Sequence, residues 1–338
     1  MPALQGADPA VEQAVDKAIV QNKHFDAPTA SVSNLRVYTW PKDDRRCEAW
    51  KGMRESIDLT IRIGGTDRQG RDQWDILRTP EDILQPAMFE MSRVFSDNRR
   101  TRDARNLKRG KLDGRALGKR AWKGDDDRLY KKRDRPKKRD YAVIVAGDCS
   151  WSQHLGKTMV VTKQAMFAQS ELLHRMGIAF EVWAHTAEVG EAYMQARRKG
   201  NDDVEPDFEM VMNQIKGWTD PWNEKQQEGL SWLHAVETNL DGHNLEFLRK
   251  RLMMTDATDK ILLYYTDGEM PAANYEDELE VLKREIETYK RLGIVLVGVG
   301  VGTDSPKSYG LDTVRIDNKG DIGKVVKHLE GELTRIHR

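Results

Sequence analysis

The stretch Tyr141-Ala-Val-Ile-Val-Ala-Gly147-Asp148-Cys149-Ser150-Trp151-Ser152 decides how this chain folds. Its first six residues read as a short buried strand, and the polar loop that follows opens at Gly147. Downstream, apolar strands alternate with amphipathic helices. A helix is predicted over about 158–175, then a strand at Ile178-Ala-Phe-Glu-Val-Trp183. A polar stretch from about 186 to 224, with Gly200-Asn-Asp-Asp203 and Pro206, reads as an insertion. Helices are predicted near 227–236 and 244–253, then a strand over Lys260–Tyr265 and a helix over Tyr275–Leu292 with Leu279, Leu282, Ile286 and Tyr289 on one face. A strand over Ile294–Val301, an edge run Thr313–Ile316 and a final helix bearing Ile322, Val325, Val326, Leu329 and Leu333 complete the pattern. Near-continuous apolar strands separated by helices require a parallel sheet covered on both faces, so residues 141–338 are expected to form an open, doubly wound, mostly parallel α/β domain of the Rossmann-like kind.

Upstream, the character changes. From Arg99 to Asp140 there are 19 Lys and Arg against 7 acidic residues, a net of +12 that the rest of the neutral chain must offset. With Leu112, Leu117, Trp122 and Leu129 as its few apolar anchors, the segment 99–140 reads as a basic strap or linker lying on the next domain. Residues 1–98 form an N-terminal α+β extension without an assignable fold. They contain an alternating run, Ile57-Asp-Leu-Thr-Ile-Arg-Ile63, closed by Gly64-Gly65, and a helical pattern over about 80–95.

In 338 residues, 38% are hydrophobic and 33% charged, which describes a core in part of the chain and a polar remainder. No apolar run approaches the roughly 20 residues that span a bilayer. Two cysteines, Cys47 and Cys149, make neither a metal-binding spacing nor a disulfide framework, which fits a reducing compartment. The first twenty residues carry Asp8, Glu12 and Asp16 and lack a signal-peptide pattern. A cytoplasmic protein is expected.

In doubly wound folds ligands bind beyond the carboxyl ends of the strands. There the loop after the first strand offers Asp148, Ser150 and Ser152 at i, i+2, i+4, one carboxylate and two hydroxyls on one side. A second strand ends at Thr266-Asp267-Gly268, and a third loop, Asn239-Leu-Asp241-Gly242, precedes the helix at Asn244. Each alone is ordinary capping or turn sequence. Together, at strand ends, they form an oxygen donor set suited to Mg²⁺, with Mn²⁺ or Ca²⁺ as substitutes.

These three loops resemble the metal-ion-dependent adhesion site of von Willebrand factor A domains. More narrowly, Arg93-Val-Phe-Ser-Asp97, Gly110-Lys-Leu-Asp-Gly-Arg-Ala-Leu117, Asp220-Pro-Trp222, Asn239-Leu-Asp-Gly242, Val299–Gly302 and Val314-Arg-Ile-Asp317 resemble the CobT family of cobaltochelatase subunits, over about residues 85–338. The resemblance implies that Asp148, Ser150 and Ser152 are direct metal ligands and that Asp267 acts through water. Asn239 stands where that family of sites has a threonine, with Asp241 as the competing choice; Trp151 stands where a glycine is usual. It further implies a non-catalytic, protein-binding subunit that grips a partner's carboxylate through the ion. Such a subunit would work beside an AAA+ ATPase of the MoxR or CobS type and assemble within a ring complex. CobT chains carry an acidic middle region where this chain is basic, which points to a shorter relative with another client. The alternative is a nucleic-acid-binding accessory factor using residues 99–140.

Other motifs fall away. Gly156-Lys157-Thr158 ends like a phosphate-binding loop, but Trp151 occupies the position of its first glycine. Cys149 reads as a small buried residue rather than a reactive thiol. The histidines, among them His154, His234 and His243, show no zinc spacing; His185, at a strand end, is a candidate for lining a partner groove.

Overall fold

A computed structural model of the chain describes residues 32–44, 46–50, 77–95, 102–120, 128–134, 140–154, 158–201, 207–268 and 275–336. The run 57–63 and Trp122 lie outside the described residues. Two compact units divide the chain, one of Met1–Val94 with Tyr141–Arg338 and one of Phe95–Asp140.

In chain order, the larger unit contains β1 (Val32–Thr39) and α1 (Glu81–Phe95). The smaller follows with β2 (Arg102–Leu107), β3 (Lys111–Leu112), α2 (Gly114–Arg120) and β4 (Tyr130–Asp134). The larger unit resumes with β5 (Tyr141–Asp148), α3 (Thr158–Arg175), β6 (Ala179–Val189), α4 (Glu191–Arg198), β7 (Phe208–Lys216), α5 (Glu224–Ser231) and α6 (Asp241–Met253). It ends with β8 (Asp259–Thr266), α7 (Tyr275–Leu292), β9 (Val295–Val301), β10 (Thr313–Ile316) and α8 (Ile322–Ile336).

The larger sheet has seven strands in the order β1-β7-β6-β5-β8-β9-β10. All neighbours are parallel except β6 and β7. The expected doubly wound α/β architecture is therefore present. The buried central strand alternates its faces as period-two geometry demands. Ala142, Ile144 and Ala146 join one core with Leu245 and Leu248 of α6 and Leu282, Ile286 and Tyr289 of α7. Gly147, of the opposite parity, lies against α3 so closely that a Cβ there would come within 2.3 Å of Met166 Sδ. Truncating a fully buried residue such as Leu248 or Leu262 costs about 2–5 kcal/mol.

The stretch 186–224, expected as an insertion, contributes to the sheet through the end of β6 and the whole of β7. β6 runs on to Val189, and β7 returns antiparallel to it, pairing Trp183 with Gln214 and Val189 with Phe208. Of the polar residues that disguised β7, Lys216 and Gln214 are buried and bonded: Lys216 Nζ donates to the Phe180 and Gly217 carbonyls, and Gln214 Nε2 donates to Glu181. The N-terminal region, left without a fold, supplies the edge strand β1, in parallel register with β7. The helix expected at 227–236 lies earlier, capped at its start by Asn223, whose side chain accepts from Lys225 N. The basic segment, read as a strap, is a unit with its own antiparallel three-stranded sheet in the order β2-β4-β3.

Candidate metal centre

The chain passes from β5 to β6 on one side and later to β8 on the other, so β5 and β8 flank the switch point where such folds bind ligands. Asp148 closes β5, and Asp267 follows β8 directly. The third loop arrives beside them because β6 and the segment before α6 are tied together: Ala187 N donates to Thr238 O and Thr238 N to Ala187 O. Asp241 is thereby set as the first residue of α6.

Asp148 is fully buried and Ser150 nearly so. Ser150 N donates to Asp148 Oδ1 at 2.7 Å, Ser150 Oγ to Asp148 Oδ2 at 2.9 Å, and the hydroxyls of Ser150 and Ser152 stand 2.8 Å apart. Burial, then the charges of Asp267 and Asp241, push the Asp148 carboxyl well above the usual carboxylate range. Burial likewise lifts Asp241 to about 7, against hydrogen bonds from Tyr264 and Asn239 and with help from Glu278 and Asp267. Three acidic side chains that the sequence scatters over 120 positions thus repel one another in one buried place. Among the described residues no three His, Cys, Asp or Glu side chains form a metal cage by themselves, so a cation here would need the serine hydroxyls and water for the rest of its shell. The donor set fits a hard divalent cation: oxygen only, rich in carboxylate, and electrostatically unfavourable without positive charge.

A family model for the von Willebrand factor A domain of the cobalamin biosynthesis protein CobT matches residues 129–336. The chain belongs to that family. No curated protein sequence matches it. Its CobT-type fold is similar to the PilB minor pilin of Streptococcus sanguinis, at 12% identity and TM-score 0.42, over 61% of this chain and 64% of that one. It is also similar to the proximal thread matrix protein 1 of the mussel byssus (14%, TM-score 0.37, 58% of this chain and 47% of that one). A third similarity is to the vWF domain of the type V pili tip protein Mfa5 of Porphyromonas gingivalis (9%, TM-score 0.36, 58% and 95%). The chain spans less than two thirds of the first two.

Tyr264, Asn244 and Glu278, which have no site role in the sequence reading, join Asn239, Asp241 and His185 here. Asn239 Oδ1 accepts from Leu240 N and from Asn244 Nδ2, both at 2.8 Å, while its Nδ2 donates to Asp241 Oδ1 at 2.7 Å. Tyr264 OH donates to the same Asp241 oxygen at 2.5 Å. His185, expected to line a partner groove, is instead fully buried. Its ring stacks on Tyr264 with centroids 4.8 Å apart, and burial holds its pKa down to about 3, so it is neutral. From α7, Glu278 Oε1 accepts from Gly242 N and His243 N, satisfying the first amides of α6. His243 is occupied with the same carboxylate. Gly242 is required there, since a Cβ would lie 2.6 Å from Leu282 N. One acidic residue among several in the first turns of an amphipathic helix carries no sequence signal for this task.

Cys149 is buried, and desolvation raises its thiol pKa, which keeps it protonated. Of the false phosphate loop, Thr158 starts α3 and donates its hydroxyl to Gln153 O. Trp151, by contrast, is 56% exposed, while the other described tryptophans are at least partly buried. Its backbone is pinned by a bond from Trp151 N to Glu237 O, and Glu237 itself holds a left-handed conformation, φ 51°.

Proposed function

We propose that this chain is a Mg²⁺-dependent protein-binding subunit of a cobaltochelatase-like complex. It would work beside an AAA+ ATPase of the MoxR or CobS type, with Mn²⁺ or Ca²⁺ as substitute ions. The crowding of Asp148, Asp241 and Asp267 beside two serine hydroxyls at the sheet's switch point, in a chain of the CobT family, carries this reading. Asp148, Ser150 and Ser152 would hold the ion from the first loop. In the third loop we assign Asp241, because the Asn239 oxygen is already committed to Leu240 N and Asn244 Nδ2. Asp267 would act through water. When bound, the ion supplies a Lewis-acidic contact for a partner's Asp or Glu.

The protein's own residues do the rest. The buried carboxylates balance the charge, the serines present neutral oxygens that leave the ion electrophilic, and the exposed Trp151 ring offers an apolar wall beside the incoming acid. None of this makes or breaks a covalent bond, so the subunit is a binder and not the catalyst. A cytoplasmic, ring-assembled complex accommodates all of these features. The test is retention of a purified MoxR- or CobS-type ATPase on immobilised wild type and Asp148→Ala, in Mg²⁺ and in EDTA. Retention by wild type in Mg²⁺ alone supports the reading. Equal retention in all four arms overturns it.

A further inference from the structure

We propose that Tyr264 is the positioning residue of this centre: its hydroxyl ties one oxygen of Asp241 so that the other is presented to the ion. The inference rests on the metal reading above and goes beyond it, since Tyr264 is not itself one of the proposed ligands. Tyr264 lies on β8, fully buried in the core shared with α6 and α7. Its hydroxyl and the Asn239 amide both donate to Asp241 Oδ1, and among the described residues Oδ2 receives no donor. A carboxylate held at one oxygen by two donors has little rotational freedom, and the direction of its second oxygen is set. Toward a carboxylate oxygen the phenol hydroxyl donates.

The phenol is itself held. Its ring lies parallel to that of His185, with an interplanar angle of 3°. His185 Nδ1 in turn stands 3.1 Å from Asn239 Oδ1 and 2.9 Å from Asn244 Nδ2. One buried stack thus joins β6, β8 and the third loop at the carboxylate. The arrangement also accounts for the asparagine that replaces the usual hydroxyl ligand: Asn239 acts on Asp241 instead of on the ion. Partners of this kind behind a metal ligand change affinity by about 10–100-fold when removed.

The adjacent residue supplies the control. Tyr265 is equally buried, but its hydroxyl has no hydrogen-bond partner among the described residues. Mn²⁺ binding would be measured by electron paramagnetic resonance on full-length wild type, Tyr264→Phe and Tyr265→Phe, with Tm in EDTA recorded for each. Tyr264→Phe is expected to weaken Mn²⁺ binding by about 10–100-fold, and Tyr265→Phe to leave it within about twofold. Asn239→Ala, which removes the second donor, should weaken binding in the same direction and serves if Tyr264→Phe does not fold. Equal affinity of wild type and Tyr264→Phe, or equal losses in the two phenylalanine variants, overturns the positioning role while leaving the metal site standing. A wild type that binds no Mn²⁺ overturns both.

Discussion

Protons and Mg²⁺ should compete for the same buried carboxylates, so the stabilisation by Mg²⁺ is expected to shrink on acidification. The perturbation is a shift from pH 7 to pH 5, with and without a saturating ion. Without the ion, burial lifts Asp241 from the ordinary aspartate value of 3.8 to about 7 in the folded protein. Its proton is bound more tightly in the folded protein than in the unfolded chain. Stability from this group is therefore fully present below the unfolded pKa and is lost as pH rises through the folded one. Between pH 7 and pH 5 the metal-free protein gains about 2 kcal/mol from Asp241 by this linkage, and Asp148, also raised, adds in the same direction. His185 works oppositely, because its depressed folded pKa destabilises the fold as pH falls below the unfolded value, by about 2 kcal/mol at pH 5. A simple pH–Tm curve would thus hide the effect. The difference between Mg²⁺ and EDTA removes the histidine, which contributes equally to both. Mg²⁺ at 100 times its Kd contributes about 2.7 kcal/mol, or roughly 5–11 °C in Tm for a domain of this size. Differential scanning fluorimetry at pH 7 should show that increment, and at pH 5 most of it should vanish. An increment independent of pH, or one that persists in Asp148→Ala, would show that protons and Mg²⁺ do not share these carboxylates.

Three further outcomes are expected. Glu181→Ala strands Arg251, whose guanidinium is 2% exposed and bonded to both Glu181 oxygens; urea melts should show a loss of about 3–5 kcal/mol, and a loss below about 1 kcal/mol would mean the pair is not buried in solution. Trp151→Ala should reduce ATPase retention by about 2 kcal/mol, the scale of a binding hot spot, while Mn²⁺ affinity stays unchanged; unchanged retention would remove the indole from the interface. Filter binding of single- and double-stranded nucleic acid at 50 and 200 mM salt should show no retention by the intact chain; steeply salt-dependent retention would instead favour the accessory-factor reading of the basic unit.

The parts of the molecule readable from sequence are those whose chemistry is local. The inner residues of β5 (Ala142–Ala146) and β8 (Ile261–Tyr265) are apolar because both faces are covered, and the strand ends carry Asp148 and Asp267 within one or two residues. The helix over Tyr275–Leu292 was legible to the residue, since its apolar face repeats on one period. β7 was not, because Glu209, Asn213, Gln214 and Lys216 interrupt it, and what makes them tolerable is bonds to Cys47, Phe180 and Glu181, far away in the chain. The centre divides in the same way. The Asp-x-Ser-x-Ser loop announces itself, whereas Tyr264 sits inside an apolar run and is indistinguishable from Tyr265 until Asp241 is found against its hydroxyl. His185 was placed at the correct strand end but with the wrong exposure, because its burial depends on Asn239, Asn244 and Tyr264 arriving from elsewhere in the chain.

Crystals grown with Mn²⁺ and measured for anomalous scattering would test the centre most directly. The expected result is one strong peak between the ends of β5 and β8, about 2.1 Å from oxygens of Asp148, Ser150 and Ser152, with Asp241 Oδ2 facing it and Asn239 turned away. A map with no peak there at saturating Mn²⁺, or with its peak on other residues, would contradict the metal-centred account.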